Sequence, residues 1–180
     1  FYPVFLKEEY YGLVVFLLAT SNLLMPLVAF GSQHTIIKYY SSYSNKNDRD
    51  SFMSSVILIP LFTIVPISLL VIEFHDLIGE FLSVQNPIIE SYVWVIFLVT
   101  FATSYFEVFY SWARVQLKSV FGNFLKEIFP RLSVFSLLIC VYFGLINKEE
   151  FVWWLTGLYY LRLFIMIMYS FSLYLSLIHI

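Results

Sequence analysis

The chain has 180 residues, of which 61% are hydrophobic and 12% are charged, and its formal net charge at neutral pH is -2. Soluble globular domains average about 45–50% apolar and about 25% charged residues, so this composition excludes an ordinary soluble domain. Ten Lys and Arg against twelve Asp and Glu leave no basic surface for nucleic acid. The single cysteine, Cys140, excludes an intrachain disulfide and a multi-cysteine metal site.

Apolar stretches of about 20 residues, the length that a helix needs to cross a membrane, follow one another along the chain. The sequence predicts five such spans, at about 11–37, 52–72, 91–112, 128–146 and 151–174. Because the stretches are apolar on nearly all sides, they indicate membrane helices rather than surface helices of a soluble protein. We therefore expect an all-α fold, a polytopic transmembrane helical bundle.

The two ends of the chain predict a fragment, 1–174, of a longer membrane protein. The opening residues FYPVFL are typical of the tail of a preceding membrane helix. The closing residues 175–180, LSLIHI, match what a widely used sequencing-library transposon end encodes in one reading frame. We interpret these six residues as a sequencing-adapter remnant, so His179 is given no functional role.

Basic residues are concentrated in alternate connections between the predicted spans. The connections around 38–50 and 113–131 contain seven Lys and Arg, whereas the other connections contain only Lys7 and Lys148. Because Lys and Arg are retained on the cytoplasmic side of a membrane, loops 38–50 and 113–127 are predicted to be cytoplasmic. This alternation agrees with five spans that follow a helix beginning in the cytoplasm.

Two stretches of the sequence carry a family resemblance. The first, residues 9–40, reads EYYGLVVFLLATSNLLMPLVAFGSQHTIIKYY, and the second, residues 104–132, reads SYFEVFYSWARVQLKSVFGNFLKEIFPRL. The first stretch has an E-x-Y-G opening, a long apolar run and a close of two isoleucines, a basic residue and aromatics (Gly12, Gly31, Ile36, Ile37, Lys38, Tyr39, Tyr40). It departs from the pattern at Phe30, where leucine is usual, and at Ser32-Gln33-His34. In these features the chain resembles the bacterial oligosaccharide flippase family of the multidrug/oligosaccharidyl-lipid/polysaccharide exporter superfamily; Arg114 and Arg131 mark the second stretch.

The resemblance implies a fold of two helical bundles, commonly of six helices each, across a central cavity. This chain would supply the end of helix one and the next five helices of the first bundle. The implied function is non-enzymatic: polyprenyl-diphosphate-linked oligosaccharide units are flipped across the bacterial cytoplasmic membrane by alternating access, for polysaccharide or lipopolysaccharide biosynthesis. The implied partners are the lipid bilayer, the lipid-linked glycan and other polysaccharide-assembly membrane proteins. No cofactor is implied beyond proton or sodium coupling, and the sequence offers no metal-ligand cluster.

Arg162 is the leading candidate for contact with an anionic cargo. It lies near the middle of the last predicted span, where an arginine costs roughly 2.5–3.5 kcal/mol on insertion scales and should face a cavity or a partner. A guanidinium group pairs bidentately with phosphate, as a diphosphate-linked cargo requires. The alternative interpretation is an ion pair or backbone hydrogen bond that only fixes helix packing.

Further polar and aromatic residues are weaker candidates. Glu107 is the candidate for proton or sodium coupling, with ion pairing to Arg162 or Arg114 and an interfacial position as the alternatives. Three polar residues lie at the end of the first span (Gln33, His34, Lys38). They could contact a substrate, but a position at the membrane interface, where polar residues are common, is the simpler explanation. Two deeper tyrosines could stack on sugar rings or simply pack the core (Tyr105, Tyr159).

Two other functions compete with the flippase hypothesis. A multidrug/sodium exporter of the same superfamily would share the bundle, and its cavity would be acidic rather than basic. A membrane-embedded glycosyltransferase or polymerase would place its catalytic residues on a large extracytoplasmic loop. The predicted loops are short, which places the enzyme behind the transporters.

Overall fold

A computed structural model describes residues 7–84 and 86–178, and every regular element within these ranges is helical. The α-helices are α1 (Lys7–Ala29), α2 (Ser32–Tyr39), α3 (Lys46–Glu73), α4 (His75–Ser83), α5 (Val93–Val115), α6 (Ser119–Glu127), α7 (Phe129–Tyr142) and α8 (Lys148–Ile178). Short 3₁₀ segments cover Tyr40–Ser42 and Pro87–Tyr92. The predicted all-α bundle is confirmed. The predicted helix tail at residues 1–6 and the last two residues of the adapter remnant lie outside the described residues.

Four helices among the described residues are long and apolar enough to cross a membrane: Glu9–Ala29, Lys46–Glu73, Pro87–Val115 and Lys148–Leu175. Large apolar side chains such as Phe62, Leu69 and Phe164 lie on the outside of these helices. An aqueous protein rarely exposes continuous apolar surface on this scale, whereas lipid tails solvate it. The chain is therefore a multi-pass membrane protein.

The structure divides the first predicted span, 11–37, into two helices. Phe30 and Gly31 both have positive φ angles, of 47° and 72°, which ends α1 and re-aims the chain into α2. Glycine tolerates this left-handed backbone, and a glycine just after a helix is a common stop signal. The membrane helix consequently ends at Ala29, and α2 is a separate helix of 8 residues.

Helix α5 is the centre of the bundle, with α1 and α8 packed along it. Within its most apolar window, 67% of the residues are buried, compared with 22% for α3, so α3 is mainly a lipid-facing helix. The contact between α1 and α5 consists of small hydroxyl side chains. Ser21 Oγ donates to Ile96 O at 3.0 Å, and Ser104 Oγ lies 3.3 Å from Met25 O. Small polar residues permit such close helix packing within a membrane.

The contacts also give the relative direction of each helix. Asn86 bonds to Glu9 O near the start of α1, and Ser104 pairs with Met25 near its end, so α1 and α5 run parallel. Phe106 meets Arg162 and Phe109 O meets Ser170, so α8 is parallel to them as well. Helix α3 runs the opposite way. We call the end at which α1, α5 and α8 begin the acidic end, and the other the basic end.

Helices α6 and α7 together return the chain from the basic end to the acidic end. Gly122 packs beside Met166, Lys126 reaches Glu107, and Pro130 lies beside Arg162, so the contacts move steadily toward the acidic end. Helix α7 alone has 14 residues, or about 21 Å at the helical rise, which is shorter than a bilayer core. The interval predicted as a span at 128–146 thus corresponds mainly to α7. The segment that returns to the acidic end is longer, because it begins with α6 at Ser119.

Candidate substrate-contact site

Arg162 lies on the buried face of α8 and is only 5% exposed. Its guanidinium carbon lies 4.3 Å from the ring centroid of Phe106 on α5 and 4.7 Å from that of Tyr159, one helical turn earlier. Both distances are within the range of a cation–π contact, which is strongest when the pair is removed from water. The two rings therefore hold the cation in a fixed place within the bundle.

No carboxylate among the described residues lies within ion-pair distance of Arg162, and Glu107 acts on its charge only at longer range. Its Nε is buried and makes no hydrogen bond, and none of the ion pairs formed in the described part of the chain includes it. Buried charges are normally paired, because an unpaired one keeps its desolvation cost. Arg162 borders a narrow crevice between α7 and α8, lined also by Pro130 and Ser133. The crevice has no room for a water molecule in this structure, so an anion would reach Arg162 only after α7 and α8 move apart.

Glu107, next to Phe106 on α5, is paired with Lys126. The Oε1 and Nζ atoms are 2.7 Å apart, and the Glu107 side chain is only 11% exposed. Of the alternatives to ion coupling, the structure shows an ion pair, but its partner is Lys126 and not Arg162 or Arg114. The reason is that the α6–α7 crossing turns back into the bundle and brings Lys126 down to the level of Glu107. Glu107 is consequently buried, not turned out to the membrane interface.

Tyr110, one turn after Phe106, is in contact with two further cations. Arg114 and Lys126 both lie with their charged groups 5.6 Å from the centroid of its ring. Together with Arg162 they place three positive groups against the one carboxylate of Glu107 on this side of α5. The sequence assigned Lys126 only to the positive-inside pattern, whereas Arg114 was also a marker of the family resemblance and an alternative ion-pair partner for Glu107. The roles of Phe106 and Tyr110 were missed, because nothing local marks which aromatic residues of α5 face α8 and α6.

The candidates on α2 lie apart from this site. Gln33 is buried and its Oε1 has no hydrogen-bond partner, whereas His34 and Lys38 are exposed. Lys38 Nζ lies 5.0 Å from the ring of its neighbour Tyr39. In the described structure no hydrogen bond or ion pair connects these residues to Arg162.

The two candidate tyrosines have different surroundings. Tyr105 OH donates to Ile57 O at 3.1 Å, so this hydroxyl links α5 to α3. Tyr159 lies under the guanidinium of Arg162 and is 9% exposed. Of the residues proposed from the sequence, the structure therefore brings together Arg162 and Tyr159. Glu107 lies near them, because it follows Phe106 directly on α5.

A separate set of contacts joins the helices at the basic end. Tyr174 OH on α8 donates to Asp50 Oδ2 on α3 at 2.6 Å. Arg49 NH2 donates to Tyr43 O at 2.8 Å, and Trp112 Nε1 approaches Tyr40 OH at 3.4 Å. These side chains hold the start of α3 and the end of α2 against α5 and α8. The basic end of the bundle is therefore tied together by polar and aromatic contacts.

No group of His, Cys, Asp and Glu within the described ranges could hold a metal ion. Comparison with known proteins finds no family model, no curated protein and no solved structure that matches the chain.

Proposed function

We propose that this chain is part of a flippase that moves polyprenyl-diphosphate-linked oligosaccharides across the bacterial cytoplasmic membrane by alternating access, for polysaccharide or lipopolysaccharide biosynthesis. Its multi-pass helical bundle and the sequence resemblance of residues 9–40 and 104–132 support the proposal. The observation that carries it is Arg162, a buried cation without a carboxylate partner in the described structure.

The chemistry of Arg162 suits a diphosphate-linked cargo. A guanidinium offers a planar set of donors that matches two phosphate oxygens at once, and such charge-assisted bonds are about twice as strong as neutral ones. The rings of Phe106 and Tyr159 pack against the guanidinium carbon, and Nε forms no hydrogen bond in the described structure. Arg114, whose guanidinium lies against the ring of Tyr110 on α5, adds a further positive group on this side of the bundle.

The ion pair of Glu107 and Lys126 is the proposed coupling element. A proton or sodium ion that binds Glu107 competes with Lys126 for the carboxylate, because both neutralise the same charge. Release of Lys126 would loosen α6 from α5 and add a free cation to the cargo site. Coupling ion and cargo would then be linked through one side chain.

The test is transport by Arg162→Ala and Arg162→Lys in the intact transporter, measured as lipid-linked glycan reaching the outer leaflet. We expect a large loss for alanine and a partial loss for lysine, which keeps the charge without the bidentate geometry. Lys118→Ala is the control, because Lys118 is exposed in the connection between α5 and α6, away from Arg162. Full transport by both Arg162 variants at normal abundance would contradict the cargo-contact role. Efflux of cationic dyes in place of glycan transfer would instead assign the chain to the multidrug exporters.

A further inference from the structure

A large cleft lies at the acidic end, away from Arg162. It is bounded on one side by the first turns of α1, at Glu9, Gly12 and Phe16, and has a volume of about 940 Å³. On the other side it is bounded by the end of α4 and the 3₁₀ segment that precedes α5, with Phe81, Leu82, Val84, Ile88 and Ile89 among the lining residues. This volume is in the range of small-molecule sites, and the walls are mainly apolar.

Helix α4 places the cleft at the surface of the membrane. It follows α3 after the single residue Phe74, so it lies where a membrane-spanning helix ends. Two of its apolar residues, Leu77 at 66% and Phe81 at 77%, are largely exposed, as is Val84 just after its end, at 80%. Their spacing of three and four residues puts them on one side of the helix, as in helices that lie in the bilayer interface. The lipid-facing surface of α3 therefore continues along α4 to the mouth of the cleft.

The polar groups of the cleft offer little to a phosphate or a sugar. Asn86 donates from Nδ2 to Glu9 O at 2.9 Å and accepts from Ile88 N at 3.2 Å, so half of the hydrogen-bonding capacity of its side chain is used within the fold. Among the described residues, the other lining residue with a polar side chain is Glu9. Residues 75–92 contain three acidic residues and no Lys or Arg (Asp76, Glu80, Glu90). A ligand is thus held by apolar contact, next to a rim that repels anions.

We infer that the cleft between α1 and α4 holds one hydrocarbon chain of a bilayer phospholipid with an amine-bearing, zwitterionic headgroup. The chain enters from the lipid beside Phe81 and packs against Phe16 and Ile88. The ammonium group of the headgroup lies near Glu9, where an anionic headgroup is disfavoured. The inference rests on the membrane location of the chain and is independent of the proposed glycan cargo.

The test is photo-cross-linking in nanodiscs, with a phosphatidylethanolamine probe that carries a diazirine on one acyl chain. Mapping of the modified residues by mass spectrometry is expected to show Phe16 and Ile88, inside the cleft, as well as the exposed Phe81. Gly12→Leu fills the cleft, because a Cβ at Gly12 meets only Asn86 Nδ2, at the ordinary distance of 3.9 Å. Labelling of Phe16 and Ile88 should then fall by roughly tenfold, which corresponds to a loss of about 1.4 kcal/mol of binding free energy.

Gly157→Leu is the matched control. Gly157 is also an exposed helical glycine, in α8, and a Cβ there meets nothing within 4 Å. This variant should leave the labelling of the cleft unchanged. Labelling confined to Phe81 in the unaltered chain would overturn the proposal, because the cleft would then be filled by another part of the protein. Stronger labelling by a phosphatidylglycerol probe, or displacement of the probe by a tenfold smaller amount of polyprenyl phosphate, would overturn the assignment to a zwitterionic phospholipid.

Discussion

Arg162 and Lys126 are cations on the same side of α5, and their charges are met in different ways. Lys126 Nζ lies 2.7 Å from a carboxylate oxygen of Glu107, whereas Arg162 rests on the rings of Phe106 and Tyr159. Aromatic faces attract a cation but do not neutralise it, so Arg162 keeps a net charge that Lys126 largely loses. The ion pair of Lys126 holds α6 against α5, whereas the ring contacts of Arg162 leave its charge available to a ligand.

The pairing of Lys126 with Glu107 predicts strong coupling between the two residues. Lys126→Met leaves the buried carboxylate without a partner and should lower the free energy of unfolding by about 1–3 kcal/mol. Adding Glu107→Gln removes the unpaired charge, so the double variant should recover most of that loss. Unfolding in detergent, measured for both single variants and the double variant, checks this. Additive effects of the two substitutions would show that the ion pair contributes nothing.

Sequence reasoning reached some of these residues and missed others for a physical reason. The position of Arg162 in the middle of an apolar span was enough to predict its burial, and Tyr159 is one turn away on the same helix. Phe106 and Lys126 belong to other helices, and their approach to Arg162 and Glu107 depends on how those helices are rotated about their axes. The sequence shows which residues share a face of one helix, but not which face of a second, distant helix packs against it.

At the scale of the helices, α6 approaches α5 closely at Gly122. A Cβ at this position would lie 2.3 Å from Tyr110 Cδ2 and 3.4 Å from Met166 Sδ. Gly122→Ala should therefore displace a buried ring and destabilise the chain by about 1–3 kcal/mol, as overpacking of a core does. Gly157→Ala, which meets no neighbour, should instead stabilise it by up to about 1 kcal/mol through helix propensity. Thermal unfolding of the two variants side by side makes the comparison, and equal effects would contradict the close packing of α6.

The interface of α1 and α5 should respond to side-chain size more than to the loss of a hydrogen bond. Ser21 is fully buried and its hydroxyl reaches Ile96 O. Ser21→Ala should cost only about 0.6 kcal/mol, the average for hydrogen bonds between membrane helices. Ser21→Leu should cost several times as much, because it forces the two helices apart. Unfolding measurements that rank alanine below leucine in stability would contradict this packing.

Comparison of the predicted spans with the observed helices shows which boundaries the sequence pattern predicts and which it misses. The intervals 52–72, 91–112 and 151–174 lie within α3, the Pro87–Val115 segment and α8, since long apolar runs determine their position. The break at Phe30 and Gly31 was missed because the predicted span was extended across the polar residues 32–35 to Ile37, just before the first charged residue, Lys38. The start of the α6–α7 crossing was missed because Lys126 and Glu127 read as a loop, whereas in the fold Glu107 neutralises Lys126.

For the whole molecule, the alternating direction of the helices predicts where each connection is exposed. In a Cys140→Ser background, Ser44→Cys reports on the basic end and Glu149→Cys on the acidic end; both positions are exposed. By the positive-inside rule, a membrane-impermeant maleimide should label Glu149→Cys in intact cells and Ser44→Cys only after permeabilisation. The reverse pattern would invert the proposed orientation. Labelling of both positions from the same side would contradict the alternation itself.

The parallel packing of α1 and α5 also constrains the order of events during biosynthesis. Ser21 and Ile96 are 75 residues apart, whereas Val28 and its α3 partner Thr63 are separated by 35. At roughly 5–20 residues per second, the ribosome completes the segment between Ser21 and Ile96 about 4–15 s after Ser21 itself. Helix α1 must therefore wait beside α3, in the translocon or the surrounding lipid, until its central partner emerges. A pause in translation between α3 and α5 would lengthen the time in which this early helix pair is open to misassembly and proteolysis.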